Sequence, residues 1–176
     1  MMLYFVIARH NDARPVIDYY DLKKDMAGCP FTVFTSNNIV LCLSGDGRAN
    51  AAAATAYILS RWGRDGLFIH LGPLENKEGV LYPHTITDRE ELVYQEMLYK
   101  PPSFVKEDTL EDSEGLYAFL SAAKFLPLKQ IIVLRTTNLA DERILSWLET
   151  ICRALYPFGT MSFPISMWKK QQSITQ

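Results

Sequence analysis

The chain opens on a continuous apolar run, Met1-Met2-Leu3-Tyr4-Phe5-Val6-Ile7-Ala8, which stops at Arg9. A short unbroken apolar run marks a strand buried on both faces, so residues 2–8 are read as a first strand. Over 13–23 the apolar residues Val16, Ile17 and Tyr20 share one side of a helix, and Pro15 suits its first turn. Phe31 to Phe34 and Ile39 to Leu43 are strand-like and flank Ser36-Asn37-Asn38, a hairpin turn. From about Ala49 to Trp62, Ala54, Ile58 and Trp62 recur at helical spacing, and the small residues between them allow close packing on a sheet.

The second half continues the alternation. Leu67 to Leu71 reads as a buried parallel strand and Val80 to Ile86 as a further strand. Residues 89–111 carry many charges and Pro101-Pro102 without a clear period, so irregular, mobile structure is expected there. Ser113 to Phe125 places Leu116, Phe119, Leu120 and Ala123 at helical spacing, and Gln130 to Leu134 is another buried strand. Ile144, Leu145, Leu148, Ile151, Cys152 and Leu155 mark the next helix. Thr160 to Met167 is read as a last strand, held to a sheet edge by Pro164, and the tail from Lys169 is polar. Helices alternating with strands, with a hairpin near the front, predict an α/β fold: three layers, with a mixed, mostly parallel sheet between helices. One domain is expected over 1–168, followed by a polar tail, 169–176.

Composition narrows the function classes. A chain of 176 residues with 48% hydrophobic and 22% charged residues is an ordinary globular protein. Net charge is −2 and the basic residues are scattered, so no polyanion-binding surface is implied and nucleic acid is not an expected partner. No apolar run approaches a membrane span, and the amino-terminal run lacks the basic flank of a signal peptide. Cys29, Cys42 and Cys152 are odd in number and widely spaced, which fits reduced thiols and a cytoplasmic location. His10, His70 and His84 are equally isolated, so neither a metal nor an organic cofactor is expected.

The chemistry concentrates in Ser44-Gly45-Asp46-Gly47-Arg48-Ala49-Asn50-Ala51. It leaves an apolar strand and opens an alanine-rich helix. Glycines let backbone N–H groups face a ligand, and the first turn of a helix has unpaired donors at its positive end. The turn lacks the third glycine of a dinucleotide-binding fingerprint.

Five blocks in order resemble the nucleoside phosphorylase/nucleosidase superfamily. These are Asp12-Ala13-Arg14-Pro15-Val16-Ile17, Ser44-Gly45-Asp46-Gly47, His70-Leu71-Gly72-Pro73 with Gly79 to Asp88, Asp112-Ser113-Glu114-Gly115, and Val133-Leu134-Arg135-Thr136-Thr137-Asn138. The resemblance implies cleavage of the N-glycosidic bond of a purine-type nucleoside, with phosphate as a possible co-substrate. It implies Glu114 as the ribose grip, bordered by Ser113 and Gly72, and Asp12 as the residue that orients an attacking water. Ser44, Gly45, Gly47 and Arg48 would face the nucleophile or a phosphate. The partner that polarises the base would be Thr137 or Asn138; Asn138 is the candidate able to donate to N7. A homo-oligomer, a dimer first, is also implied.

The chain departs from that pattern in specific ways. No Asp stands at 137 or 138, and Asp46 puts a negative charge in the turn. Pro73-Leu74-Glu75 replaces small residues, Ser113 replaces a Met, and Glu114 follows Gly79 by only 35 residues. Each candidate also has a plain structural reading. Glu114 suits a first-turn carboxylate, Asp12 an N-cap before Pro15, Arg48 a solvated first-turn cation, and Asn138 an N-cap. Those departures leave a second expectation beside the enzyme: a relative that binds a nucleoside without turning it over, or serves as an interaction subunit.

Overall fold

The computed structural model describes residues 2–26, 28–73, 84–86, 92–94, 114–127, 130–136 and 145. Its elements are β1 (Met2–Ile7), α1 (His10–Tyr19), β2 (Lys23–Asp25), β3 (Thr32–Ser36), β4 (Ile39–Leu43), α2 (Arg48–Trp62), β5 (Gly66–Pro73), β6 (His84–Ile86), β7 (Leu92–Tyr94), α3 (Glu114–Ala122) and β8 (Ile131–Thr136).

Six strands form one sheet in the order β2-β3-β4-β1-β5-β8. β1 lies between β4 and β5, parallel to both, and β8 extends the parallel set beyond β5. β3 returns antiparallel to β4 through the hairpin, and β2 adds antiparallel to β3. The sheet is therefore mixed and mostly parallel, as the alternation of elements predicts. β6 and β7 form a separate antiparallel pair.

Side-chain alternation along the sheet fills a core on each face. Leu3, Phe5 and Ile7 of β1 pack with Leu41, Ile69 and Leu134, under Ala13, Val16 and Tyr20 of α1 and beside Leu145. Tyr4 and Val6 point the other way, with Cys42, Phe68 and Val133, under Ala51, Ala54, Ile58 and Leu59 of α2 and Ala118, Phe119 and Ala122 of α3. A continuous apolar run in β1 is the direct consequence of helices on both faces. The three-layer architecture is the result.

Several boundaries move. α1 begins at His10, with Arg9 at the N-cap, so Pro15 stands inside the helix rather than in its first turn, and Asp12 is a first-turn residue rather than the cap. The helix expected to reach residue 23 ends at Tyr19, and Lys23–Asp25 form β2, an edge strand whose Lys-Lys-Asp sequence carries no apolar alternation. β7 lies within the stretch read as irregular, which corrects that reading over 92–94. The buried face of α3 is Gly115, Ala118, Phe119 and Ala122, so Leu116 and Leu120 sit at its flank. Of the helix read over Ile144 to Leu155, Leu145 is described, helical and buried. The last strand, the tail and Cys152 lie outside the described residues.

Two outcomes follow from the core. A Cβ at Gly66 would collide with the Met2 carbonyl oxygen and lie 2.8 Å from the Tyr4 ring. The first obstacle is backbone and cannot swing aside. Gly66→Ala is expected to lose about 3 kcal/mol of unfolding free energy in a denaturant titration. Burial pushes the Cys42 thiol from 9.0 up to about 12, with a smaller contribution from Cys29. The unfolded chain releases this proton at lower pH than the folded one. The contribution of Cys42 to stability is therefore full below pH 9.0 and falls as pH rises toward about 12. Cys42→Ala is expected to flatten the alkaline limb of a plot of melting temperature against pH.

Candidate functional site

The parallel strands β1, β4, β5 and β8 end on one edge of the sheet, at Ile7, Leu43, Pro73 and Thr136. Open α/β sheets bind ligands outside such carboxyl ends. The site is built where β1 turns into α1 and β4 turns into α2.

Two backbone bonds lace these turns together: the Ser44 amide donates to the Ile7 carbonyl and the Gly45 amide to the Ala8 carbonyl, both at 3.0 Å. Gly45 and Gly47 have φ of 76° and 105°, left-handed values that a side chain would oppose. They allow the chain to pass from β4 into α2 within four residues, Ser44 to Gly47. Asn50 of the first turn of α2 donates through Nδ2 to the Asp46 carbonyl at 2.8 Å, which fixes the turn from the helix side.

The carboxylates around this turn have distinct partners. The Glu114 carboxylate, at the start of α3, accepts from the Gly47 amide through Oε1. Asp46 pairs with Arg9, Nε to Oδ1 at 2.7 Å, both side chains largely exposed at 63%. Asp12 is half-buried, and its Oδ2 is buried with no hydrogen-bond partner among the described residues. Arg9 ties the group together. Its hydrogen bond to Asp46 and then the charges of Asp46, Asp12 and Glu114 hold the guanidinium above its ordinary pKa. Among the described residues, no group of three or more His, Cys, Asp and Glu side chains is placed to hold a metal ion.

Ser44, Asp12, Glu114, Gly45 and Gly47 thus gather at one end of the sheet. Gly72 is buried at the carboxyl end of β5, paired with Arg135, and a Cβ there would lie 3.3 Å from His70 Nε2. Ser113, Thr137 and Asn138 lie outside the described residues.

The turn differs from an open anion seat. Both glycine amides are engaged, Gly45 by Ala8 and Gly47 by Glu114. The buried Ser44 hydroxyl donates to the Gly45 carbonyl at 2.9 Å. Arg48 lies over the Tyr117 ring, 5.7 Å from its centre, and so packs on α3. Both glycine amides are thus bonded within the protein, in joining the elements of the turn. Asp46, which opposes an anion in the sequence, has a counter-ion.

Arg9 and Asn50 are the residues that reading by motif passed over. Arg9 marked the end of an apolar run, yet a charged residue directly after a parallel strand stands at the ligand edge of the sheet. Asn50 was hidden in an alanine-rich helix. His10 is in ring contact with Phe34, centroids 5.9 Å apart, and His70 is buried in β5.

No protein-family model matches the chain, and no curated protein matches it by sequence. Solved structures do match. A futalosine hydrolase mutant from Helicobacter pylori superposes with a TM-score of 0.57 at 12% identity, covering 86% of this chain and 96% of the other. The AMP nucleosidase of Bacteroides thetaiotaomicron gives 0.55 at 13% identity, over 85% of this chain and 86% of that one. The 5′-methylthioadenosine/S-adenosylhomocysteine nucleosidase of Campylobacter jejuni gives 0.53 at 12%, over 88% and 99%. The likeness is one of fold: this chain shares the α/β fold of these three structures. No helix among the described residues is long and apolar enough to cross a membrane.

The orphaned Asp12 oxygen has a measurable consequence. Burying a carboxylate oxygen without a partner opposes folding, whereas an acidic first-turn residue favours the helix by up to about 1 kcal/mol. Asp12→Asn is expected to leave the unfolding free energy unchanged or raised. A loss above about 1 kcal/mol in thermal or denaturant unfolding would show that Asp12 is held by contacts of structural importance.

Proposed function

We propose that this protein is a nucleosidase that hydrolyses the N-glycosidic bond of a purine-type nucleoside, with water as the nucleophile. The observation that carries the reading is the Oδ2 of Asp12, buried and without a hydrogen-bond partner among the described residues, near the turn that contains Ser44 and bonds Glu114 through Gly47. A desolvated carboxylate oxygen of this kind is a place for a water molecule and a base to take its proton. As the bond to the base breaks, positive charge develops on the ribosyl ring. Asp12 and Glu114 supply a fixed negative field for that charge, and Glu114 is suited to accept hydrogen bonds from ribose hydroxyls.

Water is preferred to phosphate on the geometry of the turn. A phosphate nucleophile needs open donors, and both glycine amides are already bonded. On the resemblance, Asn138 donates to N7 of the leaving base and Ser113 and Gly72 border the sugar. The similar folds of a futalosine hydrolase, an AMP nucleosidase and a methylthioadenosine nucleosidase support the same reaction class. A homodimer is proposed with it, to be read by light scattering.

A second reading rests on one observation: neither Thr137 nor Asn138 is a carboxylic acid. With a weaker partner for the base, the chain would bind a nucleoside without turnover.

The test combines base release and thermal shift with adenosine, inosine, guanosine and methylthioadenosine, each with and without phosphate. Base release that does not depend on phosphate is expected. Asp12→Asn should reduce it by about a hundredfold or more, the scale of a lost general base. Glu114→Ala should abolish binding while the protein still melts cooperatively. Phosphate-dependent release would replace the hydrolase with a phosphorylase. Stabilisation without release selects the binding reading, and neither signal rejects both.

A further inference from the structure

Three carboxylates and one arginine share the mouth of the site, and the arginine is bonded to the carboxylate with no role in the proposed reaction. Arg9 is fixed at the N-cap of α1, where its carbonyl accepts the first helical bond, from the Ala13 amide at 3.0 Å. Asp46 is fixed by the bond from Asn50 and by the left-handed glycines on either side. The 2.7 Å contact between Arg9 and Asp46 therefore bridges two rigid anchors rather than two loose side chains. Asp12 lies one helical turn beyond Arg9, and Glu114 is bonded to the residue after Asp46. A guanidinium released from Asp46 has two other carboxylates to choose from.

We propose that Asp46 is a positioning residue that acts through Arg9: by holding the guanidinium at the mouth of the site, it keeps Asp12 and Glu114 out of ion pairs that would disable them. This deepens the nucleosidase reading and rests on it, because Asp12 and Glu114 are the working carboxylates there. An Asp12 paired with Arg9 is a poorer base, since a neighbouring cation lowers the affinity of a carboxylate for protons. A Glu114 paired with Arg9 gives up acceptor capacity that the ribose hydroxyls require. As a stabilising contact the exposed Arg9–Asp46 pair has little value, and most such pairs contribute almost nothing to folding. Its value here is to keep the cation in one place.

The variants that test it are Asp46→Asn, Asp46→Glu, Arg9→Met and the double variant Arg9→Met/Asp46→Asn. All substitutions are at exposed positions. Two readouts are used: kcat/KM for base release, and the titration of the Asp12 and Glu114 side-chain carboxyl groups by carbon NMR without ligand. Among the described residues, the charged groups near these carboxyls are Arg9, Asp46 and each other, with His10 adjacent on α1 and Arg48 at the start of α2. Asp46→Asn is expected to lower kcat/KM by about tenfold or more. It should also lower the midpoint of whichever carboxyl, Asp12 or Glu114, takes up the guanidinium. Removing the Asp46 charge lowers neighbouring midpoints by itself, so the double variant decides. Removing Arg9 should raise the midpoints more in the Asp46→Asn background than in the wild type, and kcat/KM should recover to the Arg9→Met level. Asp46→Glu keeps the charge and should preserve both readouts.

Midpoints unmoved by Asp46→Asn, or a double variant as impaired as Asp46→Asn alone, would overturn the proposal. If the wild-type protein neither binds nor cleaves a nucleoside, the nucleosidase reading fails, and the titration still decides whether Asp46 restrains Arg9.

Discussion

The backbone bonds that sew the β4–α2 turn to the end of β1 are what the site depends on. Ser44 and Gly45 donate to consecutive carbonyls, Ile7 and Ala8, at the point where β1 ends. These bonds continue the parallel pairing of the two strands past their last register pair, Ile7 with Leu43. They fix the separation of α1 from α2 before any side chain is considered. Asp12, carried on α1, and Asp46, on the turn before α2, inherit that separation. Gly47 then passes the constraint to a third helix through Glu114. Three helix starts are thus referred to one four-residue turn, and a displacement of the turn would move every candidate group together.

Stability and function draw on different parts of the molecule. Folding free energy comes from the two apolar layers on either side of β1, where Tyr4, Phe5, Phe68 and Phe119 are fully buried. The mouth of the site contributes little to it, because Arg9 and Asp46 are exposed and the Asp12 oxygen opposes burial. A rigid sheet edge can hold such unfavourable groups because the core beneath is complete. This is the usual arrangement in which a site is less stable than its scaffold.

The scaffold was largely legible in the sequence. Buried parallel strands announce themselves as unbroken apolar runs, and β1, β4, β5 and β8 all do so. β2 does not, because Lys23 and Lys24 are exposed, Asp25 is half-buried, and the strand is held by backbone pairing, which leaves no hydrophobic signature. The start of α1 was displaced by Pro15, whose preference for a first turn was overridden when the chain turned straight from β1 into the helix. On α3 the stripe read as Leu116, Phe119, Leu120 and Ala123 is rotated: Phe119 is fully buried, whereas Leu116 and Leu120 are half-buried at its flank. Close packing on α2, with Ser121 Oγ donating to the Ala52 carbonyl at 3.0 Å, selects the small residues Gly115, Ala118 and Ala122 as its buried face.

The candidate site was legible as residues but not as bonds. Motif order brought Asp12, Ser44 and Glu114 into view, and the fold gathers them. A glycine-rich turn before a helix reads equally well as an open cradle or as a closed joint, and only the partners of its amides separate the two. Here Ala8 and Glu114 take them, so the two glycine amides are answered from within the protein. The same logic recasts Asp46. Beside an open cradle it would be an error in the motif. Beside Arg9 it is a counter-charge, and the cation it neutralises is one that no mechanism drawn from Asp12 and Glu114 can leave unattended.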